Sequence, residues 1–156
     1  MARIDVSVTE PVDAPAEIAY GILTDYREAH PSILPRSNFG ALVVEEGGRG
    51  AGTLFTVPIK EGPRMRTLRM RASEPEPGRV LMERDVDSDL VTTFTVDPVE
   101  GGARCTVTIR TAWTRGGLRG LVEGFAAPRL MPPVFRAEIR NLEALARRMA
   151  AAPVAG

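Results

Sequence analysis

Few side chains in this sequence have an ordinary pKa near neutral pH. His30 is the single histidine, and an imidazole with its usual pKa of about 6.5 suits general acid–base catalysis. It precedes Pro31, however, and a residue before proline avoids helical geometry. The position therefore favours a solvated or capping histidine in a surface helix–loop segment, and a catalytic His30 is the alternative.

The lone cysteine, Cys105, lies in an alternating stretch with Val107 on the same face, which favours a buried, inert thiol. A reactive pair of Cys105 with His30 is left open. A single cysteine forms no disulfide within the chain, which fits a reducing compartment. One histidine and one cysteine do not make the usual zinc cluster, so the sequence implies neither a metal site nor another cofactor.

Arginines cluster in the strand-like segment Arg64–Arg71. Because Leu68 and Met70 share one face, the arginines between and after them are predicted to lie on the solvated outer face, paired across strands with Glu83 or Asp85. The alternative is a buried arginine that binds a carboxylate or carbonyl of a ligand. Two further polar candidates are Tyr20 and Tyr26, whose hydroxyls could donate to a ligand; for both, a core position is the preferred interpretation.

The charge balance bears on the class of partner. The chain has 156 residues with 20 basic and 20 acidic side chains, so the electrostatic attraction that drives nucleic-acid binding is missing and no nucleic-acid partner is expected. The length fits one domain. The N-terminus lacks the apolar run of a signal peptide and no apolar stretch is long enough to span a membrane, which together predict a cytoplasmic protein. Arginine in place of lysine, with many Gly and Pro, is typical of a GC-rich bacterial genome.

Period-two alternation, interrupted by Gly and Pro turns, predicts an antiparallel meander. The predicted strands are residues 3–10, 39–46, 53–59, 64–73, 79–85, 90–97 and 104–114. Two short helices follow the first strand, one from about residue 13 to 25 and one within residues 26–35 that Pro31 interrupts. Helical spacing resumes at residue 117, and Pro128, Pro132 and Pro133 are expected to kink or break that helix. Beyond them an apolar stripe predicts a long amphipathic helix to about residue 150, with Arg136, Glu138, Arg140 and Glu143 on its polar face.

The order of strand, two short helices, about six strands and long helix predicts an α+β fold in which a curved antiparallel sheet of about seven strands wraps a C-terminal helix. Together with the segments VSVTEPVDAPAEIAYGILTDY, YREAHPSILP and GGRGAGTLF, it resembles the START/Bet v 1-like (SRPBCC) superfamily, the polyketide cyclase/dehydrase and lipid-transport group. The phrase LTDYREAHPSILP also resembles its coenzyme-Q-binding branch, with His30 and Ile33 where that branch often has Tyr and Phe. The resemblance implies a helix-grip fold over residues 1–150, and residues 151–156 are expected to be a frayed tail.

The resemblance implies a cavity between sheet and helix for a small hydrophobic molecule such as a lipid, quinone or polyketide. The apolar residues expected to face this ligand are Phe55, Val57, Leu68, Met70, Phe94, Ile109, Trp113, Phe125, Met131 and Phe135. Three functions stay open: a ligand-binding or carrier protein, which is preferred; an enzyme of the cyclase/dehydratase type; and an interaction protein with a vestigial cavity and an exposed apolar patch on its last helix. An exposed strand edge would also allow a homodimer.

Overall fold

The alternation of apolar and polar residues becomes one sheet in the computed structural model, which describes residues 1–152. Within these residues there are seven strands, three α-helices and a one-turn 3-10 helix at Glu100–Gly102. In order, the strands and α-helices are β1 (Ala2–Val12), α1 (Ala16–Thr24), α2 (Ala29–Ile33), β2 (Val43–Glu46), β3 (Leu54–Glu61), β4 (Arg64–Glu76), β5 (Val80–Asp85), β6 (Val91–Val99), β7 (Arg104–Arg115) and α3 (Gly117–Ala151). The α+β class, the seven strands and the two short helices after β1 are confirmed. Residues 153–156 of the predicted tail lie outside the described residues.

The sheet is antiparallel throughout, in the order β1-β7-β6-β5-β4-β3-β2. Neighbouring strands from β2 to β7 follow each other along the chain, as expected of a meander joined by short turns. β1 instead pairs with the last strand, from Ala2 opposite Arg115 to Val12 opposite Cys105. The helices α1 and α2 therefore carry the chain from one edge of the sheet to the other. α3 packs against the part of the sheet face that these two helices leave uncovered.

The core lies between the inner face of the sheet and the C-terminal half of α3. In β1 the buried side chains alternate with exposed ones, as the period of two predicts. On α3 the buried residues Phe135, Ile139, Leu142 and Ala146 recur at three- and four-residue spacing. Each fully buried large apolar side chain stabilises the fold by about 1.5–3 kcal/mol, so this stripe fixes the helix to the sheet.

The prediction that prolines break the C-terminal helix is wrong. α3 continues for 35 residues through Pro128, Pro132 and Pro133. Each proline removes one backbone hydrogen bond, a local cost that tertiary packing outweighs. Part of that packing lies at the start of the helix, where Gly120 is buried so closely against the Arg115 carbonyl that a β-carbon would overlap it.

The prediction of a surface-exposed His30 is also wrong. Pro31 lies in the first turn of α2, where its missing N–H has no intrahelical partner to serve, so His30 is accommodated inside the helix. Its side chain is 2% exposed. α2 is wedged against α1 and α3, and this packing directs the imidazole inward.

Arg69 and Arg71 of β4 lie on the outer face, as predicted, whereas Arg64 and Arg66 share the phase of Leu68 and Met70. Arg69 and Arg71 form ion pairs with the carboxylates of the edge strand β2, at 2.9 and 2.8 Å. Of the two predicted cross-strand acids, Asp85 lies 3.6 Å from Arg66, whereas Glu83 pairs with none of them. Glu83 and Asp85 both alternate onto the face of Leu81 and are buried, which corrects the expectation that they serve the outer surface.

Candidate functional site

A cavity of about 190 Å³ lies between the inner face of the sheet, α2 and the middle of α3. Its walls are mostly apolar because they are built from inward-facing positions of β3, β4, β6 and β7. Eight of the ten residues predicted to face a ligand line it: Phe55, Val57, Leu68, Met70, Phe94, Ile109, Met131 and Phe135. The structure brings these side chains together, and their contact with a ligand stays a prediction.

The other two predicted residues lie elsewhere. Trp113 is half-buried in an outer groove, where its Nε1–H donates to Glu123 at 2.8 Å. Phe125 is 66% exposed on the outer side of α3, so the expectation that it faces inward is wrong. The reason is helical phase: Gly120 and Ala127 are the buried residues of this part of α3, and Phe125 lies on the opposite side.

Three buried titratable side chains interrupt the apolar wall: His30, Glu83 and Glu138. The Nδ1 atom of His30 lies 2.6 Å from the Leu23 carbonyl oxygen. A carbonyl only accepts, so Nδ1 carries the proton in the neutral ring and Nε2 presents a lone pair. Burial lowers the pKa of His30 to about 4, partly opposed by the hydrogen bond to Leu23, so the ring is neutral at physiological pH.

Glu138 comes from α3 and meets His30 inside the cavity. Its side chain is buried, and its Oε1 lies 3.8 Å from His30 Nε2. That oxygen has no hydrogen-bond partner among residues 1–152. Burial, reinforced by the negative charge of Glu83, raises the pKa of Glu138 to about 8. The contact is therefore not an ion pair near neutral pH: a neutral imidazole faces a protonated carboxyl group.

Glu83 is held by a tyrosine rather than by an arginine. The Tyr26 hydroxyl donates to Glu83 Oε2 at 2.6 Å. Burial raises the pKa of Glu83 to about 7, although the hydrogen bond from Tyr26 opposes the rise. The Tyr26 ring also stacks on His30, with centroids 4.9 Å apart, and on Phe55 at 4.8 Å. One aromatic side chain thus orients both an acid and the imidazole.

Sequence reasoning missed the two glutamates because charged residues were assigned to solvated faces. The helical spacing of α3 and the alternation of β5 both indicate that these positions face the core. Glu138 is three residues after Phe135 and four before Leu142, which places it inside the apolar stripe of α3. Glu83 is two residues after Leu81, which places it on the inner face of β5.

The remaining candidates are engaged in contacts outside this cluster. The Tyr20 hydroxyl donates to Glu74 at 2.6 Å, away from the cavity wall. The Cys105 thiol is buried and contacts the Ala14 carbonyl oxygen at 3.6 Å, and burial raises its pKa to about 11, as expected of an inert thiol. Within residues 1–152 no three His, Cys, Asp or Glu side chains are grouped to hold a metal ion.

An outer groove of about 640 Å³ adjoins the cavity. It runs between the tip of the β3–β4 hairpin, the end of β7 and the first half of α3. Ile59, Lys60, Leu90 and Met131 line both spaces, so these four side chains separate them. Lys60 is exposed whereas His30, Glu83 and Glu138 are buried, which places the titratable cluster at the closed end and the groove at the mouth.

The arrangement offers two kinds of chemistry in a mostly dry site. Glu138 supplies an O–H donor, and His30 Nε2 supplies an acceptor beside it. A ligand hydroxyl group placed between them would accept a hydrogen bond from Glu138 and donate one to His30 Nε2. The same pair could also move a proton, because the acid is protonated and the base is free at the same pH.

Comparison with known proteins places this site in context. The family model described as polyketide cyclase/dehydrase and lipid transport matches residues 3–147. Among solved structures, the KanY protein is similar at 28% identity, with a TM-score of 0.79 over 94% of this chain and 99% of that one. The Zhui aromatase/cyclase from Streptomyces sp. R1128 (15% identity, TM-score 0.78, 96% and 97% covered) and a START superfamily protein from Mycobacterium smegmatis (16%, 0.73, 93% and 98%) share the fold. None of the curated proteins matches the sequence.

Proposed function

The chain belongs to the polyketide cyclase/dehydrase and lipid-transport family, and on that premise we propose that it binds a small, mostly apolar molecule whose oxygen-bearing end faces Glu138 and His30. The apolar body of the ligand would lie against the sheet residues of the cavity. A lipid, a quinone and a polyketide all have this combination of an apolar body and a polar oxygen.

The observation that carries the proposal is the unpartnered Oε1 of Glu138 inside an apolar cavity. A buried polar atom without a hydrogen bond destabilises a fold by about 1–3 kcal/mol, so such atoms are rare. A ligand hydroxyl or carbonyl would satisfy it. An apolar molecule of the same size would not, and this difference makes the proposal testable.

The size of the cavity bounds the part of the ligand that it holds. Apolar cavities of roughly 150 Å³ accept benzene, whereas drug-sized ligands occupy roughly 300–1,000 Å³. At about 190 Å³ the cavity fits one substituted ring or a short branched chain. A longer ligand would extend past Met131 and Lys60 into the groove.

The test begins with native mass spectrometry of freshly purified protein and extraction of whatever is bound. Thermal unfolding is then measured with matched pairs of one-ring ligands. One member of each pair carries a phenol hydroxyl or a ketone group, and the other member is the corresponding hydrocarbon. We expect the oxygen-bearing member of each pair to raise the melting temperature more. The preference should vanish in Glu138→Leu and persist in the exposed control Glu28→Gln. Equal shifts for both members, or none with any ligand, would contradict the proposal.

A second candidate function, proton transfer of the cyclase/dehydratase type, is favoured by the complementary protonation states of His30 and Glu138. His30 Nε2 would take a proton from the carbon next to a ligand carbonyl, and Glu138 would give its proton to the carbonyl oxygen, which leaves a neutral enol. Loss of a hydroxyl group as water or attack of the enol on a second carbonyl would follow from that species.

Deuterium exchange separates the two candidates. In D₂O the enzyme would exchange the carbon-bound protons of a bound ketone, and His30→Phe and Glu138→Gln would each slow this exchange at least about tenfold. NMR of the ketone reports the rate directly. Tight binding of the ketone, with proton exchange no faster than in buffer, would support the binding function and contradict the catalytic one.

A further inference from the structure

The first half of α3 exposes apolar side chains on the side that faces away from the protein. Five large ones are between 58% and 77% exposed: Leu118, Leu121, Val122, Phe125 and Leu130, of which Val122 and Leu130 also border the outer groove. The opposite side of the same segment buries only the small residues Gly120 and Ala127. A surface helix normally has the reverse polarity, and an exposed apolar patch of this kind indicates a binding surface.

Arginines lie among these apolar residues. The Arg129 guanidinium lies 3.9 Å above the Phe125 ring and donates to the Phe125 carbonyl at 2.7 Å. Arg119, one turn before Glu123, is 64% exposed. Glu123 is the single acidic residue of segment 117–133, and it already accepts hydrogen bonds from Trp113, Arg115 and Arg119. The outer side of the segment therefore presents apolar groups and positive charge together.

Positive charge continues across the groove onto the β3–β4 hairpin. The groove is lined by five basic side chains (Lys60, Arg64, Arg66, Arg115 and Arg119) and three acidic ones (Glu61, Asp89 and Glu123). Arg66 is paired with Glu61 and Asp85, and Arg115 and Arg119 share Glu123, whereas Lys60 and Arg64 are in none of the ion pairs of residues 1–152. The basic excess of the groove therefore lies at Lys60 and Arg64, near the hairpin tip. Met65, 59% exposed next to the hairpin tip, adds an apolar side chain there.

We propose that the first half of α3, with the tip of the β3–β4 hairpin, docks on the surface of an anionic lipid bilayer. Helices with one apolar face and flanking arginines lie in the membrane interface, with apolar side chains among the acyl chains and cations at the lipid phosphates. Charge complementarity favours an anionic bilayer over a second copy of this chain. A two-fold dimer on this patch would bring Arg119 and Arg129 of both copies together, with no free carboxylate of the segment between them.

The position of the patch gives the docking a consequence. Met131 lies on the same helix and separates the groove from the cavity, so a docked protein would hold the mouth of its cavity against the bilayer. An apolar ligand could then pass between membrane and cavity without crossing water. This consequence rests on the proposed ligand-binding function, whereas the docking itself does not.

Vesicle flotation with the full-length protein tests the docking. The probes are vesicles of phosphatidylcholine with about 30% phosphatidylserine and vesicles of phosphatidylcholine alone. We expect binding to the anionic vesicles that is at least tenfold stronger, and that weakens between about 0.05 M and 0.5 M salt because surface cations are screened. None of the helices in residues 1–152 is long and apolar enough to cross a bilayer.

Two variants with matched controls assign the binding to the patch. Leu121→Ser with Phe125→Ser should lower the vesicle partition coefficient by at least about tenfold, since both apolar side chains lose their place among the acyl chains. Val43→Ser with Val99→Ser, exposed valines on β2 and β6, should change it less than about twofold.

The charge variant is Arg119→Gln with Arg129→Gln, which should lower the partition coefficient about fivefold for each arginine. Its control, Arg147→Gln with Arg148→Gln, lies further along the same helix, about 28 residues (roughly 42 Å) from Arg119 and about 18 residues (roughly 27 Å) from Arg129. The control should retain at least half of the binding.

Three results would overturn the proposal: no flotation with anionic vesicles, equal flotation with neutral ones, or a wild-type dimer in sedimentation that Leu121→Ser with Phe125→Ser dissociates. The last result would identify a second copy as the occupant. Thermal shifts with the one-ring ligands are measured on the same variants. Because Leu121 and Phe125 do not line the cavity, failure of docking and failure of ligand binding are separate outcomes.

Discussion

Replacing Glu138 by glutamine should make the protein increasingly more stable than the wild type as the pH rises. Burial raises the pKa of this carboxyl from 4.5 to about 8 in the folded protein. Below pH 4.5 the group is neutral in both the folded and the unfolded state. Between pH 4.5 and 8 the unfolded chain releases the proton and the folded one keeps it, so the free energy of unfolding falls with rising pH.

The magnitude follows from linkage. Each tenfold difference in proton affinity is worth about 1.4 kcal/mol. Between pH 5 and pH 8 the wild type should therefore lose about 3–4 kcal/mol through this one group, whereas the variant, with a neutral glutamine at the same position, would lose none. Glu83, whose pKa burial raises to about 7, contributes in the same direction. It is present in both proteins, so it largely cancels from the difference.

The assay is urea unfolding of wild type and Glu138→Gln at half-unit steps from pH 5 to pH 8. We expect the two free energies of unfolding to differ by less than about 1 kcal/mol at pH 5 and the variant to be the more stable by about 4 kcal/mol at pH 8. Glu28→Gln, at an exposed position, should track the wild type at every pH. A difference that stays within about 1 kcal/mol across the range would mean that Glu138 is solvated or ionised in the folded protein, and the reasoning would fail.

Two further substitutions test the packing around the site. Gly120→Ala should lower the free energy of unfolding by at least about 2 kcal/mol because its β-carbon would overlap a backbone carbonyl. Gly124→Ala, with open space at that position, should instead raise it by up to about 1 kcal/mol. Urea unfolding compares the two variants, and equal effects would mean that the close approach at Gly120 is absent. Tyr26→Phe removes the hydrogen bond that opposes the raised pKa of Glu83, so the Glu83 carboxyl should titrate at a higher pH by NMR, and an unchanged or lower titration point would contradict that contact.

The fold was predictable because each element carries a local signal. In β1 the alternation of Ile4, Val6 and Val8 with charged or hydroxyl side chains states which face is buried, and no distant residue is needed to interpret it. The helical spacing of Phe135 and Ile139 does the same for α3. The failures were local as well. The rule that proline kinks or breaks a helix considers only the local backbone, whereas in α3 the packing of the following stripe outweighs three missing hydrogen bonds.

The walls of the candidate site were largely predictable for the same reason, and its polar cluster was not. Strand period places Phe55 and Leu68 on the inner face from the sequence alone. His30 and Glu138, by contrast, are brought to 3.8 Å only by the packing of α2 against α3. Each residue taken separately is most often solvent-exposed, and the chemistry of the pair exists only after folding.

The pair of His30 and Glu138 also supports a binding function for the cavity. A buried carboxyl with an unpartnered oxygen weakens the fold, and an apolar side chain of similar size in its place would often be neutral or stabilising. Two groups that act on this carboxyl do not relieve it. His30 presents a neutral imidazole whose proton is engaged at Leu23, and the negative charge of Glu83 raises the pKa of Glu138 further. Nothing in the packing of α3 requires a glutamate between Phe135 and Ile139, since the stripe would be continuous with leucine there. The stability that the chain forgoes at Glu138 therefore supports the proposed function, in which a ligand forms a hydrogen bond with that oxygen.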